Sequence, residues 1–237
     1  MAGNMREYRI RDIPDAMIFD LDGTLIDSIE AYFRIMEITF EEIGVPPVSR
    51  ERILGAVVDG GFNWKDVLPA GDASQRGTLM EKAWEVINGL YPRIFRDHVN
   101  LFPGVGEVVK DLKAGGVKVG IATTTPRKQM EVKLLPLRKS GIAELFDAII
   151  TAEDAQRRKP APDPLLECLR RMDVEPTKSI YIGDTTADIR AGKAAGMGTI
   201  GVLSGLDPYE ALKREGPDLI IPRVAELRKT EYFPGGG

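Results

Sequence analysis

Short apolar runs recur along this chain, separated by segments whose apolar positions fall three and four residues apart. The runs Ala16–Phe19, Val117–Ala122, Ala148–Ile150, Ser179–Ile182, Thr199–Val202 and Leu219–Ile221 read as buried strands, because each is brief and bounded by turn-forming residues. Between them lie amphipathic stretches such as Val105, Val108, Val109 and Leu112, which stop at Gly115-Gly116. The segment from Thr186 to Gly196 is rich in Ala and Gly and suits close packing of a helix on a sheet. Strand–helix alternation of this kind predicts an α/β fold, a parallel sheet with helices on both faces.

One stretch breaks the alternation. After Asp22 no strand signal appears until past residue 102. Ile29, Tyr32, Phe33, Met36, Phe40 and Ile43 follow helical spacing, with Asp27 as the expected cap and Glu30 three residues on. Leu79, Met80, Ala83, Trp84, Ile87, Leu90, Tyr91, Ile94 and Phe95 do the same, and Asp59-Gly60-Gly61 between the two helices reads as a loop. Residues 27–98 are therefore expected to form a helical insert over the sheet, and residues 1–26 with 99–237 the core. Pro136 should end the helix that starts near Pro126 at about Leu135.

The bulk numbers narrow the function. At 237 residues and 43% hydrophobic the chain can bury a real core. A net charge of −4 offers no basic excess for nucleic acid. The apolar runs are too short to span a bilayer, and Met1–Arg6 lacks the apolar core of a signal peptide. The single cysteine, Cys168, excludes an internal disulfide framework. A cytoplasmic globular protein is the expectation.

Chemistry enters at the strand ends. Ala16–Phe19 runs into Asp20-Leu21-Asp22-Gly23-Thr24, and residues two apart on a strand point the same way. Two carboxylates so placed are costly without a cation between them. Val117–Ala122 runs into Thr123-Thr124-Thr125, Lys159 follows the strand Ala148–Ile150, and Ser179–Ile182 runs into Gly183-Asp184 with Asp188 four residues on. In an open parallel sheet these groups converge beyond the carboxyl ends of the strands. Four aspartates against one lysine invite a divalent cation, and an all-oxygen donor set points to magnesium. No cysteine or histidine sits among them, which argues against zinc or copper. A cation, a lysine, a hydroxyl and a free carboxylate suit phosphoryl transfer with covalent catalysis.

These motifs, in this order, resemble the haloacid dehalogenase-like hydrolase superfamily, whose fold is Rossmann-like, and within it the phosphoglycolate phosphatases with a helical cap after the first strand. The resemblance rests on Asp20-Leu21-Asp22-Gly23-Thr24-Leu25, Thr123, Lys159-Pro160, and Gly183-Asp184 with Asp188. It implies that Asp20 is the nucleophile and that Asp22 protonates the leaving oxygen and then activates water. Asp20, the main-chain carbonyl of Asp22 and Asp184 would hold magnesium, with Asp188 supporting its water shell. Thr123 and the backbone at Thr124 would bind phosphoryl oxygens, and Lys159 would orient Asp20. The expected substrate is a small phosphate ester, selected by the insert, where Gly60 and Gly61 let backbone approach it.

Blander readings compete at several positions. Asp188 can be ordinary first-turn charge, and Arg157 and Arg158 are assigned to solvated surface. Thr125 is expected to cap the helix after it, Cys168 and Trp64 to pack, and His98 to sit at a helix end. Dehalogenases lack the second aspartate, so Asp22 argues against that chemistry. Sugar-phosphate mutases of the β-phosphoglucomutase type share both aspartates and stand as the alternative enzyme. A non-enzymatic phosphoacceptor switch also gathers acids, a threonine and a lysine around magnesium, but has no need of Asp22 or of a helical insert.

Overall fold

The computed structural model describes residues 13–58, 61–69 and 73–235. From β1 (Ala16–Phe19) the chain makes the two-residue strand β2 (Ile26–Asp27) and enters a helical segment. That segment comprises α1 (Ile29–Glu42), α2 (Arg50–Gly55), a hairpin of β3 (Val57–Val58) with β4 (Gly61–Phe62), and the long α3 (Ala73–His98). The chain leaves it through β5 (Asn100–Leu101), which pairs antiparallel with β2. Helices and strands then alternate: α4 (Val105–Ala114), β6 (Lys118–Ala122), α5 (Arg127–Lys133), α6 (Leu135–Lys139), β7 (Ala148–Ile150), α7 (Asp163–Met172) and β8 (Ser179–Gly183). The last stretch holds α8 (Thr186–Ala195), β9 (Gly198–Val202), α9 (Tyr209–Glu215) and β10 (Leu219–Ile221).

The six longer strands form one parallel sheet in the order β10-β9-β8-β1-β6-β7. After β1 the chain builds outward through β6 and β7, then crosses back to build the other side through β8, β9 and β10. The direction of winding therefore reverses at β1, and such a reversal opens a crevice beyond the strand ends. The ladder runs one residue past the strands there. Asp20 N–H donates to the Ile182 carbonyl at 2.8 Å, and Thr123 N–H donates to the Ile150 carbonyl at 3.0 Å.

The two-residue period of β1 divides the core. Met17 and Phe19 join Val108, Val109, Leu112 and the interior of the helical segment, whereas Ala16 and Ile18 face Leu165, Cys168, Leu169 and Ala191. The second face is built on small residues. A Cβ on Gly192 of α8 would lie 2.5 Å from the Thr199 methyl of β9, so its absence sets how near the helix sits.

All six strands expected from the apolar runs are present, with boundaries shifted by a residue at most. Pro136 lies in the first turn of α6, and the helix expected from Pro126 breaks at Leu134. Trp64 and Cys168 are buried, and His98 is exposed in the last turn of α3. Three expectations need correction. Strand pairing does occur between residues 22 and 102, as β2 with β5 and β3 with β4, but two-residue strands leave no periodic signal. Asp27 belongs to β2, so Ser28 takes the N-cap position of α1 instead, with its hydroxyl used elsewhere and not capping. Trp84, on the apolar stripe of α3, is half-exposed and meets the Trp64 ring edge-on at 5.7 Å. Residues 1–12, Asp59 and Gly60 lie outside the described residues. Among the described residues no helix is long and apolar enough to cross a membrane.

Gly192→Val should destabilise the protein by about 1–3 kcal/mol, because the new side chain enters a filled layer. Thermal unfolding should show a fall of several degrees, partly recovered by Thr199→Ser in the same chain, since that change removes the opposing methyl. An unchanged midpoint would mean that α8 does not set its height on this contact.

Candidate active site

The residues singled out along the sequence meet at the carboxyl edge of the sheet. Asp20 and Asp22 follow β1, Thr123 to Thr125 follow β6, Lys159 lies in the loop after β7, Asp184 follows β8, and Asp188 sits in the first turn of α8.

Lys159 is the hub. Its buried ammonium donates to Asp20 Oδ1 at 2.6 Å and to Asp188 Oδ1 at 2.7 Å. It also lies 2.9 Å from the Tyr181 hydroxyl, which is itself 3.0 Å from Asp188 Oδ1 and 3.1 Å from the Ala122 carbonyl. Asp188 does two things at once. Its Oδ2 accepts from Thr185 N–H at 2.9 Å and from the Thr185 hydroxyl at 2.6 Å, closing a capping box that starts α8, while Oδ1 faces Lys159. The helix-start reading of Asp188 holds, and the same side chain also lies against Lys159.

Asp184 is fixed from two other directions. Thr24 donates to its Oδ1 at 2.9 Å, and Leu206 N–H donates to its Oδ2 at 2.9 Å. Gly23 is required where the turn after β1 passes over it. Its φ is +75°, and a Cβ there would lie 2.5 Å from Asp184 Oδ2.

Asp22 belongs to a separate network. Ser28 donates to Oδ1 at 2.7 Å, and Thr125 lies 3.3 Å from Oδ2. The ammonium of Lys133, at the end of α5, forms an ion pair with that same Oδ2 and donates to Thr125 Oγ1 at 2.6 Å. Thr123 Oγ1 lies 2.9 Å from Thr125 Oγ1 and accepts from Thr125 N–H at 3.1 Å. Lys133 is 1% exposed, and Tyr32 and Phe95 of the helical segment present ring faces to it at 5.3 and 5.7 Å. The two carboxylates of the first motif are thus served by two different lysines.

Burial shapes the titration of the cluster. Desolvation pushes Asp20 up to about 7, against the pull of Lys159 and with the help of Asp188 and Asp22. Burial and then the charges of Asp188 and Asp20 hold Asp184 well above the carboxylate range. For Asp188 burial acts upward, but Lys159 and the Thr185 donors outweigh it and the group lies below its ordinary value. Asp20, Asp184 and Asp188 each place an oxygen within 4.8 Å of the others. Crowded, desolvated oxygen donors of this kind fit a hard divalent cation, whose charge would relieve what burial imposes.

No sequence signal marks Lys133, Tyr181 or Ser28, and Thr24 is marked only as part of the first motif. Lys133 gave no motif and sits in a helix with Arg127 and Lys128, both exposed, so only its three-dimensional place distinguishes it. With it, four carboxylates face two ammoniums, and the formal charge is −2 where the motifs alone suggested −3. Thr125 is corrected outright. It does not cap α5, because its hydroxyl is engaged with Lys133 and Asp22. Thr124 is half-buried between the two buried threonines. Arg157 pairs with Asp163 at the surface, away from Lys159's partners. Gly61 pairs with Val58 in the β3–β4 hairpin, and Gly60 is outside the described residues.

The sequence profile of the haloacid dehalogenase-like hydrolases matches residues 17–202, and the chain belongs to that family. It is 29% identical over 234 residues to the phosphoglycolate phosphatase of Shigella boydii, covering 91% of this chain and 92% of that protein. Among solved structures, CbbY from Rhodobacter sphaeroides in complex with phosphate superposes with a TM-score of 0.72 at 25% identity, over 91% of this chain and 96% of that one. A Thermotoga maritima protein assigned as a β-phosphoglucomutase superposes with a TM-score of 0.71 at 26% identity, over 90% and 95% of the two chains.

The raised carboxylates set a sign for stability. Between the ordinary carboxylate range and about pH 7, Asp20 and Asp184 hold protons in the folded chain that they lose in the unfolded one. In chelator, stability should therefore fall as pH rises through that window. Thermal unfolding at about pH 5 and about pH 8 should differ by roughly 5 °C or more, and millimolar magnesium chloride should shrink the difference. A midpoint that rises with pH in chelator would contradict these assignments.

Proposed function

We propose that this haloacid dehalogenase-like hydrolase is a magnesium-dependent phosphatase of small phosphorylated metabolites, phosphoglycolate-like monoesters, that works through an aspartyl-phosphate on Asp20. The observation that carries the reading is the Lys159–Asp20 contact, 2.6 Å long, at the end of the central strand. It fixes one carboxylate oxygen, Oδ1, and leaves Oδ2 as the oxygen that would attack phosphorus. Similarity to phosphoglycolate phosphatases over most of the chain supports the substrate class.

Asp20, the main-chain carbonyl of Asp22 and Asp184 are the groups that would hold magnesium, with Asp188 behind them. Bound there, the ion would neutralise charge on the phosphoryl oxygens. The chain's own residues supply the rest. Asp20 Oδ2 attacks phosphorus as the bond to the leaving oxygen breaks, and Asp22 delivers a proton to that oxygen. Thr123 and the backbone at Thr124 receive the phosphoryl oxygens, and Lys159 offsets their charge. Water, deprotonated by Asp22, then releases phosphate and restores Asp20. The helical segment, entered five residues after Asp22 and left at Leu101, covers the strand ends and selects the leaving group.

Mutase chemistry is the second reading, favoured by the likeness to the Thermotoga protein and requiring the same two aspartates. A mutase returns the phosphoryl group to sugar; a phosphatase gives it to water. Membership of a hydrolase family places an enzyme ahead of a phosphoacceptor switch.

The purified protein with magnesium should release phosphate from phosphoglycolate and related monoesters, lose that activity in chelator and regain it on adding magnesium. Asp20→Asn should lower the rate by at least about 10³-fold while keeping the thermal midpoint within a few degrees. Conversion of a hexose 1-phosphate to its isomer without net phosphate release would favour the mutase. Full activity in excess chelator, or in the Asp20→Asn protein, would overturn the proposal.

A further inference from the structure

Lys133 is the buried cation that the account of the family's motifs leaves without a role. The mechanism uses Lys159, and no motif includes position 133. Its side chain is 2% exposed, whereas that of its partner Asp22 is 20% exposed and can reach water. Asp22 therefore does not need a buried ammonium for solvation, and burying one is costly. What the contact supplies is geometry. Oδ2 of Asp22 is fixed by Lys133 and Thr125, and Oδ1 is fixed by Ser28 at 2.7 Å, so rotation of the carboxylate is stopped at both oxygens. The ammonium is itself held on its remaining side. Tyr32 of α1 and Phe95 of α3 pack their ring faces on it, and their own rings meet edge-to-face at 5.2 Å.

We propose that Lys133 is a positioning residue for proton transfer. It holds the Asp22 carboxyl in line with the leaving oxygen and ties that alignment to the helical segment through Tyr32 and Phe95. The inference rests on the phosphatase reading and adds a residue to it. In the step concerned, the bond from phosphorus to the leaving oxygen breaks, the bond from Asp20 Oδ2 to phosphorus forms, and the proton on Asp22 passes to the leaving oxygen. Lys133 neither gains nor loses a proton.

A leaving group that departs without a proton makes the test. The ratio kcat/KM reports steps up to aspartyl-phosphate formation, so it isolates leaving-group protonation from later hydrolysis. It is measured with magnesium for phosphoglycolate, whose alkoxide must be protonated, and for 4-nitrophenyl phosphate, whose phenolate need not be. Lys133→Met keeps the unbranched stem of the side chain and removes its ammonium. It should lower kcat/KM for phosphoglycolate by about 100-fold and for 4-nitrophenyl phosphate by less than about tenfold. In an Asp22→Asn background, Lys133→Met should change either value by less than about threefold, because the carboxyl it positions is already gone. The double variant also leaves no unpaired carboxylate, so it carries the test if the single variant folds poorly. Equal losses for both esters would overturn the proposal. So would a further tenfold loss in the Asp22→Asn background, which would mean that Lys133 touches the ester itself. A parent protein that releases phosphate from neither ester overturns both readings, whereas an active parent with equal losses overturns this one alone.

Discussion

A single ammonium, Lys159 Nζ, lies within 2.7 Å of both Asp20 and Asp188, and the geometry of the sheet end depends on it. It arrives on a loop from one side of the central strand and meets a carboxylate at the end of that strand and another on a helix from the other side. Without it three desolvated carboxylates would face one another within 4.8 Å. Even with it, burial leaves Asp20 at about 7 and Asp184 well above its ordinary range. A site so arranged is short of positive charge by construction, which suits the proposed magnesium ion and phosphoryl chemistry.

The second lysine divides the labour. Lys159 serves the aspartates of the sheet end, and Lys133 serves Asp22 alone. Asp20 and Asp22, the proposed nucleophile and acid–base group, stand two residues apart, yet each has its own electrostatic surroundings. Thr125 touches Asp22 and Lys133, and Thr123 is tied to Thr125 through their hydroxyls at 2.9 Å.

The parallel sheet was legible because each strand is a short, mostly buried apolar run with no competing helical period. The candidate site was legible where acids follow directly on a strand end, as at Asp20, Asp22 and Asp184, and four residues on at Asp188 in the first turn of α8. Lys159 could be picked from a basic run only by its place before proline. Lys133, Tyr181 and Ser28 carried no such mark, because their partners are 111, 22 and 6 residues away and depend on packing that no local period encodes. Thr125 misled for a related reason. A threonine before Pro126 is an ordinary capping signal, and only the arrival of Lys133 and Asp22 redirects its hydroxyl. Asp27 likewise had the right spacing for a cap but is held in the β2–β5 pair.

If Asp20 carries the phosphoryl group during turnover, chemical trapping will show it. Enzyme turning over phosphoglycolate with magnesium would be quenched in acid, treated with borohydride to reduce any acyl phosphate to an alcohol, digested and analysed by mass spectrometry. Homoserine is expected at position 20, with unmodified aspartate at 22, 184 and 188. An unmodified position 20 in an actively hydrolysing sample, or reduction at one of the other three, would contradict it.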